Sequence, residues 1–109
     1  MAIKDRAGSE PIARHETVRQ SIQHALEQEE LTAADIGQRL GLREREVIAH
    51  LDHLQRSLAH AGMRLEVVPA ECRSCGFVFK QRERLGRPSA CPKCRSERIE
   101  PPRFRIVAA

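Results

Sequence analysis

The sequence predicts an α+β fold in which a helical half precedes a strand-rich half that carries a metal site. Three observations predict it. Apolar residues recur at helical spacing over residues 15–62, β-branched residues alternate over residues 64–69 and 103–107, and two cysteine pairs lie between those strands. With 109 residues, of which 40% are hydrophobic, the chain suits one ordinary domain or two very small ones.

Composition and charge exclude several classes of protein. Charged residues make up 31% of the chain, and the apolar runs fall far short of bilayer-spanning length, so we expect no membrane partner. The charged start Met1–Arg6 predicts no secretory signal, and we therefore expect a cytoplasmic protein with reduced cysteines. Residues 63–109 carry 11 basic and 5 acidic side chains, so a polyanion is expected to meet this half first.

The N-terminal part is predicted to hold a tail and two helices. Residues 1–14 show no periodicity and are predicted to be a flexible tail, whereas residues 15–30 present one apolar helical face. Thr32, followed by Asp35, is an N-cap with an acid three residues on, which predicts the start of a short second helix. Gly41 is predicted to end that helix in the left-handed conformation.

A third helix is predicted from about Arg43 to Gly62. Its inward-facing stripe consists of Val47, Leu51, Leu54 and Leu58. A short helix, a glycine turn and a longer helix form a helix-turn-helix, whose second helix can enter the DNA major groove. The residues of this helix that we predict to contact DNA are Arg43, Arg45, Ala49, His53 and Arg56. Three arginines balance three acids over residues 43–58, so a solvated face of an ordinary helical bundle stays an alternative.

The second half is predicted to form one antiparallel ribbon that carries the cysteines at its far end. The strand over residues 64–69 and the strand over residues 103–107 flank the cysteine region. We therefore divide the chain after its tail into a core with the first ribbon strand (15–70), a metal-binding region (71–101) and a returning strand (102–109).

The cysteine pattern predicts one structural zinc ion. Two residues separate Cys72 from Cys75, 15 residues follow, and Cys91 and Cys94 repeat the spacing, so two tight turns can supply four thiolates to a tetrahedral metal. Four thiolates leave no coordination position open for a substrate. Two disulfides or unligated thiols are alternatives, and ligand spacing alone does not exclude an iron centre that transfers electrons.

The loop after the first cysteine pair is the densest basic segment of the chain. We predict that it contacts DNA phosphates, with a solvated hairpin as the alternative. Its basic residues are Lys80, Arg82, Arg84 and Arg87.

Other residues point to no catalytic site. His50, His53 and His60 could gather a second metal or respond to pH, but surface histidines on helices are the simpler interpretation. The sequence contains neither a nucleophile elbow nor a phosphate-binding glycine loop, and we predict that the protein is not an enzyme.

Two parts of the sequence resemble a known family. The stretches Leu31–Leu42 and Glu46–Leu51 resemble the helix-turn-helix core of prokaryotic winged-helix regulators. The segments Cys72–Phe79, Arg87–Ile99 and Pro102–Ile106 are similar to a rubredoxin-like zinc ribbon. Together they resemble small prokaryotic predicted transcriptional regulators that join these two parts. The resemblance implies a winged helix-turn-helix with the four-cysteine zinc ribbon inserted in or attached to the wing, and it implies binding to double-stranded DNA.

The function predicted from these observations is DNA-binding transcriptional regulation, with the third helix in the major groove and the ribbon as a structural extension of the wing. The alternative is a protein-interaction module that docks on a transcription or RNA-processing assembly through the zinc ribbon. A homodimer is compatible with either function, since winged-helix proteins often pair.

Overall fold

The computed structural model describes residues 11–80 and 84–109. Within them no helix is long and apolar enough to cross a membrane. The helices are α1 (Pro11–Gln28), α2 (Ala33–Leu40) and α3 (Glu44–Ser57), and a 3-10 turn over Leu58–Ala61 continues α3. The strands are β1 (Leu31–Thr32), β2 (Met63–Val68), β3 (Glu71–Cys72), β4 (Ile99–Glu100) and β5 (Arg103–Ala108).

Three strands form an antiparallel sheet in the order β1–β5–β2. Met63 pairs with Ala108 at one end of the β2–β5 ladder and Val68 pairs with Arg103 at the other. This confirms the predicted antiparallel pairing of the two strands that flank the cysteine region. Leu31 of β1 pairs with Phe104 on the other edge of β5. The sequence did not reveal β1, because a strand of two residues has no periodicity to detect.

Helix α1 begins inside the segment that was predicted to be tail. It starts at Pro11 rather than near residue 15, and residues 1–10 lie outside the described part of the chain. Proline suits the first turn of a helix, where its missing N–H would have no intrahelical partner. The helix ends at Gln28, two residues before the predicted end.

The start of α2 is capped as predicted. The Thr32 hydroxyl accepts from the backbone N–H of Asp35 at 3.0 Å, and the Asp35 carboxylate accepts from the backbone N–H of Thr32 at 3.1 Å. The two bonds form a capping box, which satisfies backbone donors that the first turn leaves free.

The turn between α2 and α3 is tight and depends on two glycines. Gly41 ends α2 with φ 70°, which confirms the predicted left-handed residue. The backbone N–H of Leu42 donates to the carbonyl of Gly37 at 2.9 Å. A Cβ at Gly37 would stand 2.5 Å from the carbonyl oxygen of Leu42, so a side chain at this position would push the two helices apart.

The main hydrophobic core lies between the three helices and the inner face of the sheet. Phe104 is fully buried at its centre and is the largest side chain there. The inward stripe predicted for α3 is buried in this core. The other fully or nearly fully buried members from the helices are Ile22, Leu26 and Ile36.

A second, smaller core lies in the segment between β2 and β5. Ala70, Cys72, Cys91 and Ile99 are its buried members, and two of them, Cys72 of β3 and Ile99 of β4, are paired across these strands. This segment, residues 69–102, is called the ribbon below.

The ribbon also reaches back to the main core. Leu85 is only 4% exposed and belongs to the main core, although it lies far from the helices in sequence. Two residues further on, an Arg87 guanidinium nitrogen lies 4.0 Å from a Glu44 carboxylate oxygen at the start of α3. The ribbon therefore joins the main core through Leu85 and approaches the start of α3 at an exposed ion pair.

Candidate metal centre and nucleic-acid interface

The cysteines lie in two turns with the same hydrogen-bond pattern. In the first, the backbone N–H of Gly76 donates to the carbonyl of Cys72 at 2.9 Å, and in the second, that of Arg95 donates to the carbonyl of Cys91 at 2.8 Å. The N–H groups of both first cysteines also donate to a carbonyl five residues on, each at 2.8 Å. These two turns are called the zinc knuckles.

The knuckles bring the four sulfur atoms into one cluster. All four lie within 4.8 Å of one another, and the Cys72–Cys94 and Cys75–Cys91 sulfur distances are both 3.6 Å. Zinc–sulfur bonds of about 2.3 Å place the sulfurs of a tetrahedral site about 3.8 Å apart, so the cluster fits one zinc ion. Among the described residues this is the one such group of three or more cysteine, histidine or carboxylate ligands.

Within each knuckle the first sulfur is the more acidic. Burial raises the pKa of Cys72, but hydrogen bonds from backbone N–H groups and from the neighbouring sulfurs together lower the pKa to about 6. The same balance lowers the pKa of Cys91. For Cys75 one backbone N–H lowers the pKa, but desolvation and neighbouring sulfurs raise it to about 12, and the pKa of Cys94 is also raised. Four thiolates in one cluster repel each other, and a bound divalent cation removes that repulsion.

Two aromatic rings cover one side of the cluster. Phe77 and Phe79 pack against the ribbon core with their rings edge to face at 5.0 Å between centroids. Phe77 and Phe79 flank Val78, which forms an isolated β-bridge with Glu71. The rings pack on the side of the buried ligands Cys72 and Cys91, whereas Cys75 and Cys94 are exposed.

Three residues near the cluster have roles that the sequence did not predict: Arg73, Glu100 and Arg95. Arg73 in the first knuckle donates to the Glu100 carboxylate through Nε at 2.8 Å, and hydrogen bonding from Arg73 lowers the pKa of Glu100. The two residues are 27 positions apart, so no local pattern could pair them. Arg95 has a left-handed backbone conformation, with φ 64°. Its position could have been found from the sequence, because Gly76, with φ 81°, follows the second cysteine of the first knuckle in the same way.

The residues of α3 predicted to face DNA lie on its outer side. All five are exposed: Arg43, Arg45, Ala49, His53 and Arg56. The backbone N–H of Arg43 donates to the Glu46 carboxylate at 2.8 Å, which caps α3 and leaves the Arg43 side chain out of that bond.

The basic loop is less uniform than the sequence suggests. Lys80 and Arg84 are exposed side chains that line a cavity between α3 and the ribbon. Arg87 lies beside Glu44, and Arg82 lies outside the described residues. Phosphate contact by this loop stays a prediction.

The histidines group differently from the sequence-based suggestion. His50 lies against His15 of α1, with ring centroids 5.5 Å apart, and an Arg19 guanidinium nitrogen is 3.4 Å from its Nδ1. Burial lowers the pKa of His50, and the nearby Arg19 charge lowers it further. A cation beside the ring opposes metal binding as well as protonation, so this cluster does not resemble a second metal site.

The fold and the site define a class of small α+β proteins that carry a structural zinc ribbon. Residues 17–66 match the family model described as PF0610-like, N-terminal, and residues 69–108 match the one described as PF0610 rubredoxin-like zinc beta-ribbon domain. The solution NMR structure of protein PF0610 from Pyrococcus furiosus is 30% identical, covers 100% of both chains and superposes with a TM-score of 0.73. No curated protein matches the chain. The chain belongs to the PF0610-like family, and the metal that its four cysteines hold is one structural zinc.

Proposed function

We propose that this protein is a cytoplasmic, non-enzymatic transcriptional regulator that binds double-stranded DNA through a winged helix-turn-helix. The path of the chain carries the proposal. Strand β1 lies between α1 and α2, the long strands β2 and β5 follow α3, and the sheet has the order β1–β5–β2. This is the order expected of a winged helix-turn-helix in which β2 and β5 are the strands of the wing.

The outer face of α3 supports major-groove contact. Arg43 and Arg45 stand at its exposed start, where a guanidinium can reach a phosphate or the edge of a guanine. Ala49 follows one turn later, and its small side chain allows close approach of the helix to the bases. His53 and Arg56 extend the same face.

In this proposal the zinc ribbon is a rigid extension of the wing. Zinc holds the two knuckles together, and the buried side chain of Leu85 joins the ribbon to the main core, with Arg87 beside Glu44 of α3. The ribbon then fixes the position of the wing relative to the recognition helix.

The test is selection of bound duplexes from the fragmented genome of the host, followed by affinity measurement over a salt series. We expect an enriched sequence whose binding weakens steeply with salt. The double variant Arg43→Gln/Arg45→Gln should lose the enrichment and reduce the salt slope by about 2, since each phosphate contact contributes about 0.9. The cap of α3 uses only the backbone of Arg43, so the variant should keep its fold.

A matched control removes two exposed arginines away from α3. Arg64→Gln/Arg98→Gln changes the net charge equally but alters β2 and the ribbon, so sequence enrichment should persist. If both double variants weaken binding equally, the surface is basic but blind to sequence, and the regulator proposal fails. Sedimentation of the bound complex shows whether one or two copies occupy a site.

The charge of α3 favours a second candidate, a protein-interaction module. Three arginines and three acids balance over residues 43–58, which is unusual for a helix that meets polyanionic DNA. The second knuckle meanwhile exposes Lys93, Arg95 and Arg98, a surface suited to an acidic partner. Folded, zinc-loaded protein that binds no duplex at physiological salt would favour this function over the first.

A further inference from the structure

A cavity of about 360 Å³ lies where the ribbon meets the main core. Val67 and Leu85 contribute to it from the main core, and Ala70 and Phe79 contribute from the ribbon core. Gln55 closes one side from the outer surface of α3. The cavity therefore lies between the main core and the ribbon core, at the point where the chain passes from one to the other.

The apolar part of the lining is already in place. Ala70 and Leu85 are buried, and two prolines, Pro69 and Pro102, stand where the chain enters and leaves the ribbon. Proline fixes φ, and buried neighbours restrict the remaining freedom, so little ordering is needed before a ligand binds. The volume falls in the lower part of the range of about 300–1,000 Å³ typical of small-molecule sites.

Two cations stand at the edge of this apolar surface. Lys80 and Arg84 both line the cavity, and neither forms an ion pair with another residue of the ranges 11–80 and 84–109. The Gln55 amide offers a further donor. An apolar surface with two adjacent cations complements a ligand that has an apolar body and one anionic group.

We propose that this cavity binds a compact organic carboxylate with an apolar body, such as a single aromatic ring. The arginine fork can hold a carboxylate through two parallel hydrogen bonds, and the lysine adds a point charge. An inorganic anion would pair with the cations but leave Phe79, Val67 and Leu85 uncovered. The site would also occupy two of the loop cations predicted to contact phosphate, yet its existence does not depend on DNA binding.

Benzoate is the probe, titrated into zinc-loaded full-length protein while backbone amide resonances are recorded by NMR. The expected result is a saturable shift confined to amides around the cavity. Benzyl alcohol, which has the same ring and no charge, should bind at least tenfold more weakly, because the two cations contribute only to the anion. Inorganic phosphate at the same ionic strength should not saturate these shifts.

The variant Arg84→Gln should weaken benzoate binding by about tenfold, a loss of about 1.4 kcal/mol. Arg98→Gln is the matched control, since it removes an exposed ribbon arginine that does not line the cavity. Unshifted amides of the main core report that both variants are folded. The proposal is overturned if benzoate produces no saturable shift, if benzyl alcohol or phosphate binds equally well, or if the two variants respond alike.

Discussion

Arg95 occupies a backbone position that glycine occupies in the other knuckle. Its φ of 64° lies in the left-handed region, where a Cβ crowds the following carbonyl, whereas Gly76 adopts φ 81° without that penalty. Both residues donate the N–H that closes their knuckle, so a change of this conformation would break that hydrogen bond. The second knuckle therefore carries backbone strain that the first does not.

Replacing Arg95 with glycine should relieve that strain. We expect Arg95→Gly to raise the free energy of unfolding of zinc-loaded protein by about 0.5–1 kcal/mol, after allowance for the greater freedom of glycine in the unfolded chain. Denaturant unfolding at constant free zinc measures the change. Arg98→Gly removes the same charge at a position where the structure records no positive φ, and it should destabilise or have no effect.

At the scale of the elements, α1 and α3 pack around a partly buried histidine. His50 of α3 faces Arg19 and His15 from α1, with Glu46 and His53 on its own helix. Burial is the largest cause of its lowered pKa, followed by Arg19 and His15, while Glu46 acts in the opposite direction. Protonation of His50 would place a positive charge beside that of Arg19 in a partly buried contact.

Stability should therefore fall on acidification. Because the pKa of folded His50 lies below the usual value of 6.5, its contribution is complete above that pH and is lost as the pH falls toward the folded pKa. Denaturant unfolding at several pH values from neutral downward tests this. His50→Gln should flatten the dependence, and His24→Gln, an exposed substitution on α1, should leave it steep; an equal response would contradict the assignment.

The elements differ in how well sequence predicted them. The boundaries of α2 depend on local hydrogen bonds and one backbone angle, at Thr32, Asp35 and Gly41. Such features can be predicted from a few neighbouring residues. Strand β1 was not, because Leu31 joins a sheet only through Phe104, which lies 73 positions further along the chain. Features that depend on neighbouring residues can be predicted from a short stretch of sequence, whereas strand pairing between distant residues cannot.

The same distinction holds for the candidate site. The cysteine spacing predicted the ligand set because each knuckle is a local turn. The contacts of Leu85 with the main core and of Arg87 with Glu44 could not be foreseen, since they depend on where the ribbon folds after it leaves β2. Among the described cations of the basic loop, Lys80 and Arg84 line the cavity and Arg87 lies beside Glu44.

For the molecule as a whole, the two cores predict two responses to loss of zinc. The main core buries Ile22, Leu51 and Phe104 independently of the metal, whereas two of the four buried residues of the ribbon core are metal ligands. We expect a chelator to unfold the ribbon and leave α1–α3 helical. Amide hydrogen exchange should show loss of protection over residues 71–101 with protection retained around Leu51.

Readdition of zinc should restore that protection, and magnesium, which prefers oxygen ligands, should not. Loss of protection throughout the chain on chelation would mean that the main core depends on the ribbon, and unchanged protection would mean that the ribbon does not need its metal.

The insertion of the ribbon between β2 and β5 also sets the order in which the chain can fold. The pairing of Val68 with Arg103 must close a loop of 34 residues, 69–102. Once zinc has brought Glu71 opposite Glu100, only four of those residues, 69, 70, 101 and 102, lie between the two ladders. Loop-closure entropy depends on the logarithm of loop length, so the shorter loop lowers the free-energy cost of closure by about 2 kcal/mol. Where closure limits folding, this is about 30-fold in the closure rate. Bound zinc thereby sets the rate at which the β2–β5 hairpin forms. The supply of zinc would determine how long β5 of a newly made chain stays unpaired.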